Sequence, residues 1–146
     1  MTGPFRRLGV LSVCMAALLL TGCGGKRVKI KGTLVLPAGV KLEEKDSLQV
    51  TLSTTGDKAQ SAGAKVDHTD LSFAISGNDG TGVPPGKYKV MVSCAPYPGE
   101  AKAEERKKLL EKEFAAFGEK TPLEVELSGD DNQTLTIDLQ KKTVSK

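Results

Sequence analysis

Apolar residues return at every second position along most of this chain, in one short run after another from Val28 almost to the C-terminus. VKIKGTLVLP sets Val28, Ile30, Leu34 and Leu36 against Lys29, Lys31 and Thr33. SLQVTLS does the same with Leu48, Val50 and Leu52, and KYKVMVS with Tyr88, Val90 and Val92. DLSFAIS turns Leu71, Phe73 and Ile75 to one side, and AKVDH is the weakest of the set. LEVELS and TLTIDLQ add Leu123, Val125, Leu127 and Leu135, Ile137, Leu139. Period-two alternation marks strands with one buried face. Roughly seven such strands, separated by Gly, Pro, Asn and Asp turns, bury their apolar sides by facing a second sheet. The pattern therefore predicts a mainly β chain, an antiparallel sandwich of about seven strands, over residues 28–146. The last two runs, joined through Gly129 to Gln133, read as a hairpin.

One segment breaks the alternation. EAKAEERKKLLEKEFAAFG, from Glu100, places Ala103, Leu110, Phe114 and Phe117 at helical spacing, with Glu104–Lys108 and Lys107–Glu111 as four-apart charge pairs. Pro96 and Pro98 precede it and Gly118 follows as a stop, which predicts a helix over about 101–117 inserted between two strands. Its apolar stripe is narrow. Leu110, Phe114 and Phe117, with Leu109, either dock a partner or cap an open end of the sandwich.

The chain opens differently. Arg6 and Arg7 stand in an N-terminal stretch without an acid, and Leu8 to Leu20 is mostly apolar and uncharged, the basic and hydrophobic regions of an export signal. The run is too short for a span, which takes about 20 apolar residues. It closes on Leu20-Thr21-Gly22-Cys23. These residues resemble the lipobox of bacterial lipoproteins. The resemblance implies that residues 1–22 are removed and that Cys23, made lipid-bearing on its thiol and amine, becomes the first residue of the mature chain. Two or more acyl chains, at about 0.8 kcal/mol per buried CH2, hold a protein on a membrane stably. Gly24 stands where the family's inner-membrane retention signal has Asp, which favours an outer membrane, periplasmic or surface face, where two membranes exist.

Composition narrows what remains. Without residues 1–22, 124 of the 146 residues are left, enough for one domain with a modest core. The leader holds two of the 21 basic residues and none of the 18 acidic ones, so the net charge falls from +3 to +1 and no basic field argues for nucleic acid. Cys14 leaves with the leader and Cys23 is acylated, so Cys94 has no disulfide partner and reads as a small buried hydrophobe at a strand end. Only Gly24, Gly25, Lys26 and Arg27 separate Cys23 from Val28, a reach of roughly 15–18 Å. Lys26, Arg27, Lys29 and Lys31 then either face lipid headgroups, at about 1 kcal/mol each on an anionic leaflet, or are solvated charges.

GNDGTGVPPGKYKVMV, residues 77–92, sets Val83-Pro84-Pro85-Gly86 as a rigid turn before Tyr88, whose ring points inward with its hydroxyl near the corner. With the early strand KIKGTLVLP and its internal Gly32, this resembles the carboxypeptidase regulatory-like and transthyretin-like domains. The resemblance implies a small β-sandwich and no particular activity; the inserted helix departs from the minimal family pattern.

Chemistry-bearing clusters are sparse. Asp67-His68-Thr69-Asp70 could offer carboxylates and an imidazole to a metal, but neighbours on a strand point to opposite faces, so they read as loop residues. Asn78, Asp79 and Asp130, Asp131, Asn132 are oxygen-rich, yet lack the twelve-residue calcium-loop spacing and double as turn formers. No catalytic residue, metal ligand or cofactor is assigned. The sequence reads as a lipid-anchored, non-enzymatic envelope module whose partner is membrane lipid through Cys23 together with an envelope protein or glycan. The alternative is a carbohydrate-binding module using Tyr97, the other Tyr besides the inward Tyr88. An enzyme would have to work through His68 or Cys94.

Overall fold

The computed structural model describes residues 25–55, 59–99 and 102–146; the residues read as leader and lipobox, with Cys23 and Gly24, as well as 56–58, Glu100 and Ala101, lie outside the described residues. Eight strands form two four-stranded sheets: β1 Lys29–Val35, β2 Ser47–Thr54, β3 Ser61–Lys65, β4 Ser72–Ile75, β5 Gly86–Ala95, β6 Glu124–Leu127, β7 Asn132–Asp138 and β8 Thr143–Ser145. One sheet runs β4-β1-β7-β8, the other β3-β2-β5-β6. The alternation read from the sequence is the burial pattern: in β1, Ile30, Gly32 and Leu34 face in while Lys29, Lys31, Thr33 and Val35 face out. Ile30, Leu34, Phe73, Ile75, Leu135 and Ile137 of the first sheet join Leu48, Val50, Leu52, Tyr88, Val90 and Val92 of the second in one core.

Gly32 explains itself here. It sits in an inward position, yet a Cβ there would meet the Phe73 ring, 2.8 Å from Cε1, and crowd the Leu135 carbonyl. The missing side chain makes room for the Phe73 ring between neighbouring strands.

Three expectations need correction. β6 and β7 are not a hairpin: β6 pairs with β5, whereas β7 pairs with β1 in the other sheet. Ser128–Asp131 carries the chain across the core, and Gly and Asp serve such a crossing as well as a tight turn. The sandwich is also not wholly antiparallel, since β1 and β7 run parallel from Lys29↔Asn132 to Val35↔Asp138. Finally, β8 is an eighth strand. It is three residues long, with one apolar residue, Val144, and forms because Ile137↔Val144 pairing is available. Smaller shifts occur as well: the weak AKVDH run is strand only to Lys65, with Val66 buried just beyond it, and Leu71, half-buried at φ 56°, precedes rather than begins β4.

The inserted segment is an α-helix, α1 Ala103–Phe114, continued by a 3-10 turn Ala115–Phe117. Glu104 and Glu105 in its first turn and Lys112 in its last oppose the helix dipole. Its place in the fold follows from the lengths of β5 and β6. β5 has ten residues and β6 pairs only with Gly86–Lys89. Past that point Val90 N donates to Leu123 O at 2.9 Å and Thr121 Oγ1 donates to Val90 O at 2.9 Å. The rest of the β5 edge runs beside α1, which covers a strand edge that would otherwise be open. Leu110, Phe114 and Phe117 are 1%, 4% and 3% exposed and belong to the core. Of the two roles read from the sequence, this burial matches the cap: the three side chains close this end of the sandwich. Leu109, 54% exposed, is the apolar residue of α1 left outside.

Candidate functional site

The chain enters the fold at Val28, fully buried and locked to Val83 by a reciprocal pair of backbone hydrogen bonds, 2.8 and 2.9 Å. β1, β5 and β7 start at this end and β4 and β6 finish here, so the loops 76–85 and 128–131 share it with Gly25, Lys26 and Arg27. Of the four early cations only Lys26 and Arg27 belong to the end itself. Lys29 and Lys31 project from the outer face of the sheet, Lys31 standing between Ala74 and Thr134.

Loop 76–85 is shaped by its backbone. Gly77, Gly80 and Gly82 have φ of 72°, 75° and 110°, and Gly82 passes so close to Val28 that a Cβ would stand 2.8 Å from its carbonyl oxygen. Glycine is required for that approach. Asp79 Oδ1 accepts from Thr81 N at 3.0 Å and from Thr81 Oγ1 at 2.7 Å. Those hydrogen bonds, aided by the charge of Arg27, hold the Asp79 carboxyl below the usual carboxylate range. Tyr88 is 3% exposed, its ring in the core and its hydroxyl donating to Pro84 O at 2.7 Å. Burial pushes that hydroxyl's pKa up, so it stays a donor. A cavity of about 550 Å3 opens between these pieces, walled by Arg27, Gln60, Asn78, Asp79, Pro84 and Tyr88. Arg27 Nη1 reaches Gly82 O at 3.4 Å and Asn78 Nδ2 reaches Ser61 O at 3.4 Å across its rim.

The opposite end holds the other candidates. Asp46 is 3% exposed and is met by Arg106 of α1, whose Nε donates to Oδ1 at 3.1 Å and whose Nη2 bonds Oδ2. Glu43 N donates to Oδ2 at 2.8 Å, and Arg106 also reaches Lys41 O at 3.0 Å and Glu43 Oε1 at 3.2 Å. Desolvation is the largest single influence on Asp46 and raises its pKa; the hydrogen bonds from Arg106 and Glu43 N, with the Arg106 charge, outweigh it and leave the carboxyl lowered. Arg106 thereby clamps α1 onto the β1–β2 loop.

His68 and Cys94 both lie near Asp46, a convergence that no spacing in the sequence signals. Cys94 is buried, and burial first, then the Asp46 charge, pushes its thiol up to about 11. At neutral pH that holds it as the thiol. Asp67 Oδ1 accepts from Thr69 N at 2.7 Å and Asp70 Oδ1 from Ser72 N at 2.9 Å, so both carboxylates build the turn around His68. Ser128 Oγ likewise donates to Asp130 Oδ2 at 2.6 Å. Among the described residues no three His, Cys, Asp or Glu side chains group as a metal site. Tyr97 is 50% exposed with Lys45 Nζ 5.5 Å over its ring. Comparisons of the chain with protein-family models, with curated proteins and with solved structures found no match.

Proposed function

We propose that this chain is a bacterial lipoprotein: a non-enzymatic β-sandwich of the cell envelope, held by acyl chains on Cys23, that serves as an interaction or structural module, with an outer membrane favoured by Gly24. The observation that carries the reading is the junction at Val28. The lipobox cysteine stands five residues before a position that is fully buried and bridged to Val83. A protein whose first core residue follows its anchor so closely has its domain on the membrane surface.

The non-enzymatic part of the reading is supported by the state of the two groups an enzyme would need. Cys94 is buried with a raised pKa, and the carboxylates flanking His68 are engaged by backbone N–H groups. Tyr88, inward and bonded to the proline-glycine turn, supports kinship with the carboxypeptidase regulatory-like and transthyretin-like sandwiches. Any partner meeting α1 finds Leu109 and a mixed-charge surface instead of the two phenylalanines.

Cys23→Ser tests the anchor. The variant is expected either to leave the membrane pellet as folded soluble protein or to accumulate as unprocessed precursor that keeps residues 1–22. A Cys23→Ser protein that sediments with membranes and is processed like the wild type would refute lipid anchoring.

A further inference from the structure

The anchored end of the sandwich carries a cavity, and the tether decides what that cavity faces. Arg27 stands four positions after Cys23 and also lines the cavity. Four residues extend no more than roughly 15 Å. The mouth between loop 76–85 and the start of β3 is therefore within reach of the headgroup layer, whereas α1 follows β5 toward the far end. Ten residues of β5 span about 30 Å at about 3.3 Å each.

The charges of this end are mixed. Arg27 supplies a guanidinium and Asp79 a carboxylate on the same cavity wall. Both Thr81 hydrogen bonds to Asp79 fall on Oδ1, so Oδ2 receives neither. Acids and cations share this end: Gly129, which precedes Asp130 and Asp131 in the chain, lies by the Lys26 stem, a Cβ on it standing 3.7 Å from Lys26 Cδ. A ligand carrying one phosphate and one ammonium matches the pair. At about 550 Å3 the space is within the range of small-molecule sites.

We infer that this cavity takes a zwitterionic phospholipid headgroup, with the phosphate toward Arg27 and a primary ammonium toward Asp79. The inference rests on the lipid-anchored reading and deepens it: the domain would not only hang from its acyl chains but stand on the bilayer in one orientation, tether end down and α1 outward. A primary ammonium donates hydrogen bonds to Asp79, and a quaternary one cannot, so ethanolamine headgroups are favoured over choline.

The test uses full-length, processed protein reconstituted in vesicles. One set contains a phosphatidylethanolamine with a photoreactive group at the top of an acyl chain, the other its phosphatidylcholine counterpart. After irradiation the adducts are mapped by mass spectrometry, and the mass of the mature N-terminus is read from the same sample. Adducts are expected on peptides from residues 59–62 and 76–84, several-fold stronger with ethanolamine. Asp79→Asn and Arg27→Gln, both exposed and expected to melt like the wild type, should each cut that yield about tenfold. Acylated protein with adducts confined to α1, with equal yields for the two lipids, or with yields indifferent to both substitutions overturns the headgroup site while leaving the anchor intact. An N-terminus without acyl chains overturns the anchor and the site together.

Discussion

Where α1 closes the sandwich, side chains do the fastening: Phe114 and Phe117 enter the core and Arg106 grips the buried Asp46. At the Val28 end backbone does much of it, through three left-handed glycines and the Val28–Val83 bridge. The first construction leaves little that a partner could use, because the apolar residues are consumed by the core. The second leaves a polar cavity and two opposite charges at the surface. An inserted helix in a β fold invites a functional reading, but here the insertion is the seal and the cavity opens at the ordinary-looking turn.

Breaking the seal should produce the largest effect. Phe114→Ala removes a ring that is 4% exposed and should lower stability by about 3–5 kcal/mol, read from denaturant unfolding. A variant that kept its midpoint would mean that α1 is an appendage, and the docking role of its aromatic residues would return.

Next comes the clamp. Arg106→Met keeps the aliphatic stem but leaves Asp46 buried without its cation, a loss of about 3 kcal/mol. The carboxyl is lowered in the folded protein, so its contribution is complete above the unfolded value near pH 4 and is lost as pH falls through the lower folded value. Melting curves should therefore separate wild type from Asp46→Asn at neutral pH and draw together in acid. A gap of constant size would show that the carboxylate charge plays no part.

The Val28 end should respond more gently. Tyr88→Phe loses the hydroxyl bond to Pro84 O and keeps the buried ring, so the expected loss is about 1 kcal/mol. A loss as large as that of Phe114→Ala would make the turn, not the helix, the principal fastening and reverse the contrast between the ends.

Much of the architecture was legible in single strands, because burial obeys the same alternation that the sequence displays: Ile30 and Leu34 in β1, or Leu48, Val50 and Leu52 in β2, face as their spacing required. Pairing was less so. Nothing local in Ser128–Asp131 distinguishes a hairpin turn from a crossing between sheets, since both need the same turn formers, and the parallel union of β1 with β7 joins residues a hundred positions apart. The fate of Leu110, Phe114 and Phe117 depended on β6 being shorter than β5, a mismatch visible only once the two are paired. The cavity assembles Arg27, Gln60 and the pair Asp79 and Tyr88 from three separate stretches. Only the meaning of Tyr88 after its proline-glycine turn could be read in advance, because its partner Pro84 lies four residues away.

Anchoring through Cys23 underlies both the function and the orientation proposed for the domain. The mass of the mature protein, extracted from membranes and measured intact with its N-terminal peptide sequenced, tests it most directly. The expected result is a chain beginning at Cys23, lacking residues 1–22 and heavier than its remaining sequence by two or three acyl chains with glycerol. A mature chain that begins elsewhere, or begins at Cys23 with a free thiol and free amine, would contradict it.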